Sequence, residues 1–322
     1  MKRVAIVIFF IVSYIKANNL NYSSIGMGGV DMAIGKNSQS ILLNPANIPI
    51  KNELIVEFQN SILLNERTAN FIKNLSSNSS QKISNLMKKN IGKNLIINGD
   101  NFTSIYKTQN SYSFLFGYYN SINGKFITHT GFGSMGAMES LVDRYSTLLT
   151  SFSLNQNVIK YGFNLRAITK HQTIHNYTID EIIENDNILN YFENRYTKSK
   201  KALAFDIGGV YNIKNSKLAL SILDIGDTSF KELGAIKSTT NFGFSTKYQD
   251  MLFGIDYIDM FNGSFNNSFR YGMSKSFDNL TINSGLLHKN LTIGLDYKYS
   301  IFNISISRYK KKSYQFSISL AW

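Results

Sequence analysis

Apolar and polar side chains alternate strictly along many segments of this chain. In the clearest of them, Leu291, Ile293 and Leu295 alternate with Thr292 and Asp296. Because successive side chains of a strand point to opposite faces, a period of two residues predicts β-strands with one apolar and one polar face. About fourteen strands are predicted, near 53–60, 111–119, 125–133, 145–154, 158–170, 202–212, 216–224, 239–248, 251–259, 266–275, 279–287, 290–299, 301–308 and 313–322.

The connections between the predicted strands fall into two classes. Every second connection is short, at 120–124, 155–157, 214–216, 249–250, 277–278 and near Ser300. The other set includes the long connections 61–110, 134–144, 171–201 and 225–238, with helical patterns at 64–92 and 178–193. Alternation alone also fits a soluble β-sandwich, but a sandwich gives no reason to sort loops by length. The sequence therefore predicts an all-β fold, a transmembrane antiparallel β-barrel with short turns at one end.

Several charged side chains share the parity of the polar faces. The apolar faces are long and rich in aromatic residues, as expected where a barrel meets lipid, and an arginine at the bilayer midplane would cost about 2–4 kcal/mol. We therefore expect the charges to point into the barrel. The predicted lumen-facing residues are Lys160, Arg166, Asp206, Asp256, Arg270, Asp296 and Lys298.

The two ends of the chain carry signals for export and assembly. Lys2 and Arg3, an apolar run from Val4 to Tyr14 and the small residue Ala17 predict a secretory signal peptide at 1–17 that is cleaved. The last strand has apolar residues at every second position and resembles the signal that the barrel-assembly machinery reads. It comprises Tyr314, Phe316, Ile318, Leu320 and Trp322.

Composition narrows the chemistry further. The chain has no cysteine, which removes disulfides and thiol catalysis. Its net charge is +13, of which residues 1–17 contribute +3, leaving +10. This excess favours anionic partners such as lipopolysaccharide phosphates, or it reflects only the abundance of lysine. His171 and His175 have the i, i+4 spacing of metal ligands but lack the Glu between them. We predict no enzyme activity, no metal, no cofactor and no nucleic-acid partner.

A glycine-rich segment lies between the signal and the first strand. Here Gly26, Gly28 and Gly29, then Ala33 and Asn44-Pro45-Ala46, resemble the start of the FadL-type superfamily of outer-membrane transporters. The resemblance implies that residues 18–52 form a hatch inside a barrel at 53–322, and that small hydrophobic molecules pass when the hatch moves. It also implies a monomer in the lipids of the outer membrane.

A second resemblance leaves another function open. The stretches 205–211 and 218–230 are similar to the TraF-type and PorV-type branches of the same superfamily. Such a barrel would transport nothing and would act as a scaffold or shuttle in secretion or conjugation.

Overall fold

Fourteen antiparallel strands close into a barrel in the computed structural model, which describes residues 22–75, 80–109, 111–129, 137–178, 181, 197–309 and 312–322. The predicted signal peptide at 1–17 and nearly all of the helical pattern at 178–193 lie outside these residues. The strands are β1 (Ile55–Asn65), β2 (Asn94–Gln109), β3 (Tyr112–Thr128), β4 (Met138–Asn155), β5 (Ile159–Tyr177), β6 (Thr197–Ile213), β7 (Ser216–Leu223), β8 (Thr228–Ser229), β9 (Ala235–Ile236), β10 (Thr239–Tyr248), β11 (Met251–Tyr257), β12 (Phe269–Phe277), β13 (Leu280–Leu287), β14 (Asn290–Tyr299), β15 (Phe302–Tyr309) and β16 (Ser313–Ala321).

Each barrel strand pairs with its neighbours along the chain, and β1 pairs with β16 to close the wall. The short strands β8 and β9 form a separate two-stranded sheet within the connection between β7 and β10. Beyond Ala321, Trp322 continues the closing ladder, since its N–H donates to the Val56 carbonyl at 3.1 Å and its carbonyl accepts from Val56 at 2.9 Å. All edges of the described barrel wall are therefore paired.

The two faces of the wall differ as the alternation predicts. In β14, Leu291 and Ile293 are 62% and 52% exposed on the outer face, while Thr292 and Asp296 are buried on the inner face. An apolar outer face and a polar inner face are the arrangement of a barrel that stands in lipid. The predicted fold class is confirmed.

The loops are sorted by length as expected. At one end, turns of two or three residues occupy 156–158, 214–215, 249–250, 278–279 and 300–301, and β2 is followed closely by β3. At the other end, here called the loop end, β3 and β5 end and β13 turns into β14 at 288–289. Three further connections at this end are long, namely 66–93, 224–238 and 258–268. The first contains the helices Glu66–Leu75 and Ser80–Lys89, as predicted, and a short helix Phe265–Ser268 lies in the last. None of the helices among the described residues has the length and apolar character needed to cross a membrane.

Two predictions about individual strands are wrong. One strand was not predicted and another was predicted as two, so the predicted number of strands is still fourteen. Residues 94–109, predicted as loop, form β2, while the predicted strands 111–119 and 125–133 belong to one strand, β3. The predicted turn at 120–124 lies in the middle of β3. The cause is a polar stretch in both strands, where Asn101 pairs with Asn120 and Asp100 with Ser121. These residue types favour turns in water, but here they lie in a continuous ladder and several face a polar interior.

A plug inside the barrel as the candidate functional site

Residues 22–48, here called the plug, fill the interior of the barrel before the chain enters β1. They form three short 3-10 helices, Tyr22–Met27, Ser38–Leu42 and Pro45–Asn47. From residue 24 to residue 48 the side chains are buried or half-buried. The plug therefore lies within the segment 18–52, for which the FadL-type resemblance implies a hatch.

Local sequence determines the bends of the plug. Gly28 and Gly29 have φ of 71° and 73°, a left-handed conformation that costs glycine little. Gly26 lies against Gly294 of β14, where two backbones come into direct contact. Asn44 caps the last 3-10 helix by accepting from the Ala46 N–H at 3.1 Å, and Pro45 occupies its first position.

Inner-wall side chains satisfy the backbone of the plug on one side. Asp256 of β11 accepts from the backbone N–H groups of Asp31 at 2.7 Å and Met32 at 3.0 Å. Arg270 of β12 donates to the Gly29 carbonyl at 3.1 Å. These groups would otherwise be buried without partners, which costs about 1–3 kcal/mol each.

Side chains of other wall strands hold the plug in the same way. Asn164 of β5 donates to the Ile41 carbonyl at 2.9 Å, and Ser221 of β7 donates to the Leu43 carbonyl at 2.7 Å. Near β2, the Gln39 amide donates to Asp100 at 2.6 Å. The plug is therefore attached by side-chain hydrogen bonds and adds no strand to the wall ladder.

Apolar contacts complete the fit of the plug. Ile41 and Ile48 pack in a buried cluster with Phe102, Tyr119 and Leu149, which face inward from β2, β3 and β4. Phe102 and Tyr119 meet edge to face with ring centroids 6.1 Å apart. The inner wall is therefore not uniformly polar, and this apolar patch is covered by the plug.

Glycines on the inner wall make room for the plug. A Cβ atom added at any of seven wall glycines would lie less than 3.0 Å from a plug atom. At Gly243 the nearest atom would be the Cβ of Met32 at 2.5 Å, and at Gly254 it would be a methyl carbon of Val30 at 2.6 Å. A mid-strand glycine often marks a close approach of another backbone. The seven residues are Gly162, Gly208, Gly243, Gly254, Gly272, Gly285 and Gly294.

The connection 224–238, here called the clamp loop, folds against the inner wall at the loop end. Arg166 of β5 forms a bidentate pair with Asp206, at 2.8 and 2.7 Å, and its second ion pair reaches Asp224 of the clamp loop at 3.0 Å. The Asp224 N–H donates to Asp206 at 2.8 Å. Burial raises the pKa of the Asp224 carboxyl above its usual value, while the Arg166 charge opposes that rise.

Further contacts attach the clamp loop to the wall. Phe230 packs edge to face on Tyr145 with centroids 5.7 Å apart, and Lys170 donates to the Leu233 carbonyl at 2.7 Å. Asn164 also connects Asp206, which holds the clamp loop, to the plug. Its side-chain amide nitrogen lies 3.2 Å from Asp206 and 2.9 Å from the Ile41 carbonyl. Plug and clamp loop thus share one hydrogen-bonded network.

The predicted inward charges occupy two environments. Five of them, namely Arg166, Asp206, Asp256, Arg270 and Asp296, are buried on the inner face. Asp296 accepts from Lys36 of the plug at 2.6 Å. Lys160 is half-buried, and Lys298 lies on the same face by alternation but is exposed near the turn end.

The other predicted positions lie outside the plug and its contacts. In the final strand, Tyr314, Phe316 and Trp322 are exposed on the outer face, and Ile318 and Leu320 are half-buried. His171 contacts Ser199, and His175 lies 3.5 Å from Glu181. Among the described residues there is no cluster of three or more metal-ligating side chains.

Most residues that hold the plug carry no recognisable signal in the sequence. Asp100, Asn164, Ser221 and Thr292 are ordinary polar residues of alternating strands, and their contacts lie more than 50 residues away in the chain. The wall glycines offered a usable signal, since they recur on the polar face of consecutive strands. A row of glycines on that face indicates a second chain segment against the wall.

Comparisons with known proteins support the fold. No family model matches the chain, and no curated protein matches it in sequence. The toluene transporter TbuX from Ralstonia pickettii is similar at 11% identity, with 94% of this chain and 97% of that chain covered and a TM-score of 0.62. The toluene transporter TodX from Pseudomonas putida is similar at 9% identity, with 96% and 98% covered and a TM-score of 0.57. The monoaromatic hydrocarbon channel CymD follows at 12% identity, with 94% and 96% covered and a TM-score of 0.56. At these identities the likeness establishes a shared fold.

Proposed function

We propose that this protein is an outer-membrane channel for small hydrophobic molecules and that the plug is its movable hatch. The apolar outer face and the sorted loops support a place in the outer membrane, with the loop end outward. The shared fold with hydrocarbon channels supports the substrate class. Export would depend on the signal at 1–17, and because the barrel closes on itself, one copy suffices.

The observation that carries the proposal is how the plug is attached. The wall ladder is complete from β1 to β16 without any strand from the plug. Fourteen strands spaced about 4.8 Å apart and tilted about 40° enclose a backbone cylinder roughly 28 Å across. Displacing the plug therefore opens a wide interior without breaking the described wall ladder. It breaks hydrogen bonds that involve side chains, the ion pair of Lys36 with Asp296, and apolar contacts.

The lining that a displaced plug uncovers suits an apolar solute. Ile41 and Ile48 cover Phe102, Tyr119 and Leu149, so their withdrawal exposes an aromatic and aliphatic surface. Pockets for small molecules are lined mainly by such side chains, with a few polar groups between them. The clamp loop stands beside this path at the loop end, and its attachment through Asn164 couples it to the plug.

A reversible crosslink between plug and wall tests the proposal. The hydroxyls of Ser38 in the plug and Ser104 in β2 lie 2.8 Å apart. Because the natural chain has no cysteine, Ser38→Cys with Ser104→Cys creates a single disulfide site. The matched control is Ser216→Cys with Thr246→Cys, whose hydroxyls lie 2.9 Å apart and join β7 to β10 within the wall.

Uptake of radiolabelled toluene is measured in cells that lack other channels for it, before and after a membrane-permeant reductant. We expect the plug crosslink to suppress uptake until the disulfide is reduced, and the wall crosslink to leave uptake unchanged. Equal uptake with a fully formed plug disulfide would show that the plug does not gate. A protein that gives no uptake in any form would favour the scaffold or shuttle function.

A further inference from the structure

A polar cavity of about 600 Å³ lies at the loop end, outside the barrel interior. Residues of the helices Glu66–Leu75 and Ser80–Lys89 line it, among them the buried ring of Phe71. Lys312, from the connection between β15 and β16, contributes to its rim. Its size falls within the range of small-molecule sites.

The charge of the lining is strongly unbalanced. Four cationic side chains, Arg67, Lys89, Lys93 and Lys312, face one carboxylate, Glu66, so the described lining carries a net charge of +3. Glu66 is already engaged, because Lys312 lies 3.0 Å from it.

Two of the cations remain available for a ligand. The Lys93 ammonium donates to the backbone carbonyl of Lys89 at 2.6 Å. This hydrogen bond does not involve the Lys89 ammonium. In the part of the chain that the structure describes, neither Arg67 nor Lys89 has an ion-pair partner. Unpaired cations grouped around a cavity attract an anion, and a guanidinium matches the geometry of phosphate.

The neutral lining adds hydroxyl recognition. Asn70, Asn85 and Asn90 contribute side-chain amides, each able to donate and accept. Asn90 donates to the Leu86 carbonyl at 2.8 Å, so its own oxygen is free of that bond. A ligand with phosphate and several hydroxyls would satisfy both the cations and the amides, whereas a neutral hydrocarbon would satisfy neither.

We propose that this cavity binds a phosphorylated saccharide. Two sources share that chemistry, the phosphorylated glucosamine head group of lipopolysaccharide and a soluble sugar phosphate. The lipid source rests on the proposed outward orientation of the loop end, and the soluble source does not. The site is separate from the plug, so its occupation does not depend on the proposed channel function.

The test compares two double variants with the same change in charge. Arg67→Gln with Lys89→Gln removes both available cations, while Lys73→Gln with Lys88→Gln removes two cations of the same helices that do not line the cavity. Binding of glucose 6-phosphate is measured by calorimetry in detergent. Binding of lipid A is measured by native mass spectrometry after release from nanodiscs that contain lipid A and phosphatidylethanolamine.

We expect the full-length protein to bind at least one of the two probes. The cavity variant should bind it about tenfold more weakly or worse, because charge-assisted hydrogen bonds are lost, and the control should stay within about twofold. Lipid A alone would identify the lipid source, and glucose 6-phosphate alone the soluble one. Binding of neither probe, or equal losses in the two double variants, would overturn the proposal. Toluene uptake in the cavity variant reports separately on the channel.

Discussion

Replacement of Asp256 by alanine should release the plug while the barrel stays closed. Its carboxylate accepts two backbone N–H groups of the plug, from Asp31 at 2.7 Å and Met32 at 3.0 Å. In Asp256→Ala both donors lose their partner in a buried position. No hydrogen bond of the wall ladder involves the Asp256 side chain, because strands pair through their backbones.

The size of the effect follows from these two contacts. Leaving a buried donor unsatisfied costs about 1–3 kcal/mol, so two donors cost roughly 2–6 kcal/mol of docking free energy. Even the lower figure raises the undocked population of the plug by roughly 30-fold. In Asp256→Asn one acceptor oxygen remains, and the loss should be smaller.

Hydrogen exchange measures this population directly. Peptides covering residues 22–48 are followed by mass spectrometry in detergent for the natural protein, Asp256→Ala and Asp256→Asn. Exchange should accelerate by roughly 30-fold or more in the alanine variant and by less in the asparagine variant. Heat-modifiable mobility on gels checks that the barrel remains folded.

Two results would refute the reasoning. Unchanged protection of residues 22–48 in Asp256→Ala would mean that other contacts hold the plug and that Asp256 is dispensable. Loss of heat-modifiable mobility would mean that the wall depends on the plug, contrary to the complete ladder from β1 to β16.

Two further substitutions and one deletion probe other parts of the molecule. Gly208→Val should displace the plug and raise single-channel conductance, because a Cβ there would lie 2.9 Å from Pro45 of the plug. Gly209→Val is the control. A Cβ at Gly209 meets nothing closer than 3.4 Å, so this variant should behave like the natural protein. Arg166→Met leaves the buried carboxylates of Asp206 and Asp224 without their cation, which costs about 3–5 kcal/mol. Limited proteolysis should therefore cut the clamp loop faster in this variant. An unchanged cleavage rate would contradict the proposed clamp. Deletion of Trp322 removes two hydrogen bonds of the closing ladder and should reduce membrane insertion with export intact, as judged by heat-modifiable mobility; normal assembly would argue against an assembly signal there.

The wall of the barrel could be predicted because its rule is local. In β14, Leu291 and Ile293 face outward and Thr292 and Asp296 inward, and each assignment depends only on neighbours in the chain. The sorting of loops needs no more than the order of strands. These features follow from a period of two and from a solvent that differs on the two faces.

Prediction from local sequence failed where the packed interior of the barrel changes the environment of polar residues. Asn120 and Ser121 lie in a run that favours turns in water, yet they pair with Asn101 and Asp100 inside a continuous strand. The sequence alone does not show that the inner face of β3 contacts a packed interior. Likewise the contact of Arg166 with Asp224 joins residues far apart in the chain, and no local pattern indicates it.

Alternation also assigns two properties of a channel to different residues. One property is insertion and stability in the membrane, and the other is docking of the plug. A side chain added at Gly209 would point to the outer face, whereas one added at its neighbour Gly208 would meet the plug. The Gly209 carbonyl still accepts a hydrogen bond from Asn44 of the plug at 3.1 Å, and a change of side chain leaves that carbonyl in place. Substitutions of one parity should therefore alter insertion and stability in the membrane, and those of the other parity should alter docking of the plug. Because the ladder uses backbone groups common to both, a change on the inner face does not weaken closure of the wall. Gating can thus vary with the inner residues while the barrel stays the same, provided that the plug moves as proposed.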